Sequence, residues 1–564
     1  MSPALSRGVY LLVTVFFALF FVLPIWGTLQ TAFIDVHGGF TLDYIAEVFR
    51  NPLYREGLLN SLLIAVLTTL ACLLISLPLA IAYVRHAFPL RNGLNSLMLT
   101  PLILPPFVGA LGIQAMLGQA GALNSLLIRL GLQCADQPAD WLGEGQMTGV
   151  VLINVLHLYP IVYLNISAAL ANLDPALEEA AANLGCPPWR RFWRITLPLI
   201  LPGIFAGSAI AFIWAFTELG VPLIFDFDRV TSVQIFSAIK DLSNNPFPYA
   251  LVVVLLFFTT LFYAGSKLMF RSEVSGGGGR ATTGRSLVRL PAWQGWLIAG
   301  GFLLVIGLAL MPHVGVLLLS LAGDWYRTVL PTGLTLANFT GALGHDLTLS
   351  AIANSLKYAS LATLVDVVLG IGVAWVVVRS QLRGRQWLDT MAMLPLAVPG
   401  IVMAFGYLAL SREGQPLHGL MLGENPLLLL VVAYAMRRLP YVVRSAAAGL
   451  QQISPVLEEA AQNLGAPPLH ALWRITLPLV APNLVAGALL AFSFAMLEVS
   501  DSMILAQQTL YFPITKAIYS LSSALGDGPG LAAALGVWSM VFLTITLLGA
   551  GVVLGRKLGA LFRV

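Results

Sequence analysis

Residues 177–199 read LEEAAANLGCPPWRRFWRITLPL, and residues 457–479 read LEEAAQNLGAPPLHALWRITLPL, an offset of 280. Further upstream, Asn60-Ser61-Leu62 matches Asn354-Ser355-Leu356, and PLILPP at 101–106 matches PLAVPG at 395–400, both at an offset of 294. The chain is therefore one unit written twice. The change of offset gives the first copy about 14 extra residues, which fit in the polar stretch near 119–147. The copies meet at SEVSGGGGRATTGRS, residues 272–286, whose Gly, Ser and Thr content reads as a flexible linker.

Composition fixes the solvent. Of 564 residues, 58% are hydrophobic and 10% charged, with a mean hydropathy of +0.86. A soluble protein carries about 25% charged residues, so this chain lacks the polar shell that a water-soluble enzyme needs. Disorder is excluded too, since it requires low hydrophobicity and high charge. A bilayer crossing takes roughly 20 apolar residues. Twelve stretches qualify: 8–29, 58–84, 97–118, 148–171, 199–222, 250–270, 295–320, 351–378, 389–410, 427–449, 479–500 and 532–556. The first is too long for the apolar part of a cleaved signal and reads as a retained anchor. With an even number of spans, loops alternate between two sides. One side collects 19 of the 30 Lys and Arg, including Arg7, Arg85, Arg190, Arg191, Arg194, Arg379 and Arg474, against nine on the other. The positive-inside rule makes the first side, with both termini, cytoplasmic. Six spans per copy, each copy starting inside, make parallel repeats about an axis along the membrane normal.

The quoted stretches then fall in the cytoplasmic loop between the fourth and fifth spans of each copy, 174–198 and 454–478. Asp174-Pro175 and Ser454-Pro455 place an N-cap residue before a proline suited to the first helical position. Glu178, Glu179, Glu458 and Glu459 put negative charge in the first turn, where the helix dipole favours it. Gly185 and Gly465 stand where a helix ends, each followed by two prolines. The pattern predicts a helix of about ten residues, roughly 15 Å long, with Ala180, Ala181, Ala460 and Ala461 leaving a bare surface for close approach. A helix this short is not stable alone in water. Its appearance twice, with the same flanks, reads as a docking knob for a cytoplasmic partner rather than as an ordinary re-entry loop.

In detail the loops resemble the signature of membrane subunits of ATP-binding-cassette importers: E-A-A, three residues, G, nine residues, I-x-L-P. Glu179-Ala180-Ala181, Gly185 and Ile195-Thr196-Leu197-Pro198 match it, as do Glu459-Ala460-Ala461, Gly465 and Ile475-Thr476-Leu477-Pro478. The fused double form is similar to the ferric-iron, thiamine and 2-aminoethylphosphonate permease group. That resemblance implies two cytoplasmic ATPase subunits seated on the loops, a soluble binding protein delivering solute from outside, and a bacterial inner membrane. It also implies that ATP is bound and hydrolysed on partner chains, with no cofactor on this one. The sequence agrees: the Walker-A-like string at 279–286 has Arg285 where lysine is required and lacks a preceding strand. No Cys/His cluster has metal-ligand spacing, and a net charge of +4 gives no continuous basic surface for nucleic acid.

Charge within the spans is the remaining signal, since each such group costs roughly 2.5–3.5 kcal/mol on insertion scales. Asp366, Arg437 and Arg438 all fall in the second copy, where the first has Cys72, His157 and Leu158. The expectation is an ion pair between Asp366 and one of the arginines, with a route-lining arginine as the second reading. Glu218 and Glu498, equivalent at offset 280, together with Asp501, lie near external span ends. They read as a gate or weak cation ring, or as wet helix ends, the second being preferred.

The expected architecture is all-α, about twelve transmembrane helices in two pseudo-symmetric six-helix repeats of the type I importer-permease kind. The repeats are 1–271 and 291–564, with the linker at 272–290. The expected function is a permease, not an enzyme, carrying ferric iron or a small organophosphonate. An ion-coupled secondary transporter with twelve spans in parallel repeats is the alternative.

Overall fold

The computed structural model describes residues 3–35, 38–143, 146–241, 246–269, 287–421 and 424–553. Most of the expected linker, with the string at 279–286, lies outside the described residues. Within them the chain is helical almost throughout. The only strands there are His86–Ala87 and Val288–Arg289, paired in parallel.

The long helices have the polarity of membrane spans. In Pro52–Arg85, Ser61, Ala65, Thr68, Cys72, Ser76 and Ala80 are buried. Leu59, Leu63, Leu67, Leu70 and Leu74 are exposed, at helical spacing on the opposite side. Small and polar residues face other helices, where backbones approach closely, and leucines face outward, where the medium is apolar. Asp346–Arg379 repeats the arrangement, with Ala351, Ser355, Ala359, Ala362 and Gly370 inside and Leu364 and Val368 outside.

Ten helices among the described residues are long and apolar enough to cross a membrane. Arg385–Leu396 and Gly400–Leu410 make an eleventh if counted as one span, although they meet at 96°. Pro399 stands at that break and biases the residue before it away from helix. The remaining expected stretch, 427–449, lies in the single helix Leu427–Gln452, whose Arg437, Arg438 and Arg444 set it apart in composition. Pro160 sits inside the helix Met147–Ala171, and Pro440 inside Leu427–Gln452.

Contacts divide the chain into two compact units that cut across the sequence copies. The first takes the described residues up to Glu56, those of Thr231–Phe257, and those from Leu336 to 553. There Leu23–Phe33, from the first copy, packs on Gly400–Leu410, from the second. A Cβ on Gly406 would lie 2.7 Å from the Pro24 carbonyl oxygen, so only glycine permits this approach. The second unit comprises Gly57–Val230 and Phe258–Thr335. In it Ala292–Leu321 packs on Pro106–Leu117, with the Cα of Gly112 against the Pro312–Val316 backbone. Gly112 and Gly406 are equivalent at offset 294, so each unit holds the opening span of the other copy through the same glycine device.

Candidate functional site: two anchored loops and a buried ionic cluster

The loop helices form where their caps place them. In the first copy the helix runs Pro175–Asn183, with the Asp174 carboxylate accepting from the Ala176 N–H at 3.0 Å. Gly185 takes φ +78°, and the Cys186 N–H closes on the Ala181 carbonyl at 3.0 Å. In the second copy the helix runs Val456–Asn463, Gly465 takes φ +91°, and the Ala466 N–H bonds the Ala461 carbonyl at 3.0 Å. The expected Ser454 side-chain cap is not made. Pro455 is already helical in conformation, and backbone bonds to the Ser454 and Pro455 carbonyls enter the helix instead.

Both helices stand largely clear of their units. Leu184 and Leu464 are each 89% exposed, Trp189 is 70% exposed, and Glu179, Ala180, Glu459 and Ala460 are exposed as well. Ala181 and Ala461 are half-buried, and Gly185 and Gly465 are open with no atom near a would-be Cβ. Apolar side chains turned outward on a short polar loop make a surface suited to a protein partner.

One side chain per loop points inward. Glu178 is 4% exposed and Glu458 8%. Glu178 forms an ion pair with Arg85 and accepts from the Thr196 hydroxyl, and Arg85 also donates to Thr196 at 3.1 Å. Glu458 lies 3.5 Å from the Arg379 Nε and accepts from the Thr476 hydroxyl at 3.0 Å. Arg379 also donates to the Leu450 and Ile453 carbonyls at 3.0 and 2.7 Å, capping the preceding helix. Arginine, glutamate and threonine thus recur as a triad, 85/178/196 and 379/458/476. Each triad ties the loop helix to the end of the copy's second span and to the start of its fifth. Sequence reasoning counted Arg85 and Arg379 only as surface charge. Their equivalence at offset 294 was the available signal.

The intramembrane charges assemble differently from expectation. Arg437 and Arg438 do not pair with Asp366. Both bind the Glu498 carboxylate, and Arg437 Nη1 lies 3.8 Å from Asp501. The reason is position: Glu498 follows the end of Leu477–Met496 and faces the middle of Leu427–Gln452, while Asp366 sits fully buried on Asp346–Arg379, with no hydrogen-bond partner on either oxygen among the described residues. Glu498, 4% exposed, is therefore not a wet helix end. The Glu498 carbonyl accepts from Thr515 at 2.7 Å, and Tyr434 and Ser502 share a hydrogen bond of 2.6 Å beside it. Arg437 rests against Gly400, where any side chain would collide with its guanidinium.

The first copy builds no such cluster. His157, in place of Arg437, shares a 3.1 Å hydrogen bond with the Pro101 carbonyl and stacks on Trp214. Pro106 replaces Gly400. Glu218 accepts from the Gly220 and Val221 N–H groups at 3.0 and 3.2 Å, and Val221 occupies the position of Asp501. The copies share their loops and differ in their buried charge. No group of three metal-ligating side chains occurs among the described residues.

A membrane protein made of two like helical repeats, each presenting an anchored loop helix, is the class that fold and site define. The chain belongs to the family of binding-protein-dependent transport system inner membrane components, whose model matches residues 73–272 and again 366–550. It is similar to the ferric transport system permease protein FbpB of Actinobacillus pleuropneumoniae, at 27% identity over 81% of this chain and 64% of that protein. The chain thus spans just under two thirds of that relative. It is 28% identical to the probable ABC transporter permease protein y4fN of Sinorhizobium fredii, over 83% of this chain and 82% of that one. The putative 2-aminoethylphosphonate transport system permease protein PhnU of Salmonella typhimurium matches at 27%, over 42% of this chain and 82% of its own length.

Proposed function

We propose that this chain forms the translocation pathway of a binding-protein-dependent importer and that separate ATPase subunits drive it through the two loop helices. The observation that carries this reading is the repeated Arg–Glu–Thr triad. A helix of eight or nine residues cannot hold its shape alone, and each triad fixes one rigidly to two spans while its outer face stays open. A pull on the loop is then transmitted directly to those spans. Closure of the ATPases on ATP draws the loops together and opens the pathway outward, and hydrolysis returns it inward. Both termini and both loops face the cytoplasm, in keeping with the arginines gathered there.

For the cargo, ferric iron is preferred over an organophosphonate. The similarity to ferric permeases runs through both copies, whereas the phosphonate permease matches 42% of this chain. The test is uptake of radiolabelled ferric iron and of 2-aminoethylphosphonate in cells with and without the gene, alongside co-purification of the ATPase. Uptake that requires ATP hydrolysis supports the reading. Uptake driven by an ion gradient with no ATPase bound overturns it in favour of a secondary transporter.

A further inference from the structure

Asp366 and Arg438 stand on neighbouring helices of the same unit, and each has an unmet need. Among the described residues, both carboxylate oxygens of Asp366 are buried without a donor, and the Arg438 Nε–H is buried without an acceptor. One turn beyond each, Gly370 and Val442 meet: a Cβ on Gly370 would lie 2.8 Å from the Val442 side chain. Asp346–Arg379 and Leu427–Gln452 therefore run in intimate contact at this level. Yet the Arg438 Nη2 is turned to Glu498, and its guanidinium carbon lies 5.5 Å from the Phe494 ring centre. In the first copy the same helix pair is closed with neutral groups: Cys72 Sγ meets the Val155 carbonyl at 3.7 Å, and Ser76 donates to the Tyr159 carbonyl at 2.9 Å.

A bare carboxylate inside a membrane protein is costly, and retaining one opposite an unused guanidinium N–H has no benefit in this conformation. We propose that Asp366 is a second station for Arg438, idle in the conformation seen here and engaged in the opposite conformation of the transport cycle. Arg438 then exchanges Glu498 for Asp366 as the segment after Leu477–Met496 shifts against Leu427–Gln452. Arg437 stays in contact with Glu498 and within reach of Asp501 throughout, so that neither carboxylate is left without a cation beside it by the exchange. Asp366 acts here as a coupling residue that stabilises one end state and touches no cargo. The proposal rests on the ATP-driven reading above.

The test compares melting temperatures of the whole transporter, at rest and trapped with ATP and orthovanadate, for wild type, Asp366→Asn and Asp366→Glu. Asp366→Asn is expected to melt within about 2 °C of wild type at rest and to lose most of the gain that vanadate gives wild type. Asp366→Glu, which keeps the carboxylate, is expected to regain it. A full vanadate gain in Asp366→Asn overturns the proposal. So does an equal loss in both states, or failure of that variant to fold, because either makes Asp366 a support of the resting conformation. A wild-type complex that gains nothing from vanadate refutes the ATP-driven reading instead, and the resting-state comparison still decides whether the carboxylate is idle.

Discussion

Replacing Arg85 by leucine removes the guanidinium from Glu178 while leaving that carboxylate inside the protein, its side chain only 6% exposed. Breaking one partner of a buried pair costs about 3–5 kcal/mol when burial is complete. Arg85 is 17% exposed, and Thr196 still donates to Glu178, so the lower part of that range applies, about 2–3 kcal/mol. The cost falls on the loop, because the helix Pro175–Asn183 is held to its unit through this point and stays largely exposed elsewhere. If docking requires the ordered loop, about 2 kcal/mol weakens ATPase binding roughly thirty-fold. The double variant Arg85→Leu/Glu178→Gln no longer buries a lone charge and should recover at least about 1 kcal/mol of that loss. The assay is a double-mutant cycle on the Kd between the purified chain in nanodiscs and its ATPase, with thermal melting as a control for global folding. A coupling energy under about 0.5 kcal/mol, or unchanged ATPase affinity in Arg85→Leu, refutes the anchor.

Alanine at Gly185 or Gly465 meets no neighbour, so its effect is pure backbone strain at φ +78° or +91°. The expected cost is about 1–2 kcal/mol per site, read as weaker co-purification of ATPase with the melting temperature of the membrane domain unchanged. Gly400→Ala drives a methyl group into the Arg437 guanidinium and should lower the melting temperature. An unchanged melting temperature in Gly400→Ala would contradict the clash. Lys516 lies on Ile514–Ser522, outside the candidate spans, with its amine donating to the Met503 and Ala506 carbonyls. Burial pushes that amine down to about 8. The folded chain then releases the proton before the unfolded chain does, so this group's contribution to stability rises with pH between about 8 and the unfolded value of ~10.4. Lys516→Met should flatten the rise in melting temperature across that window, and an unaltered slope would exclude Lys516 as its source.

What could be read without coordinates was local or periodic. Apolar runs of span length, the two offsets, and the caps around Gly185 and Gly465 each depend on residues close in the chain, where hydropathy and backbone sterics suffice. Even there Ser454 failed, because its proline entered the helix by backbone bonds instead. Partner choice was beyond reach. Glu178 finds Arg85 across 93 residues and Thr196 across 18, and Arg438 turns to Glu498 rather than Asp366 because helix packing sets which faces meet. The exchange of opening spans between the two units was equally hidden. Hydropathy reports that a helix prefers lipid or protein, while shape, at glycines such as Gly112 and Gly406, decides which helix lies against it.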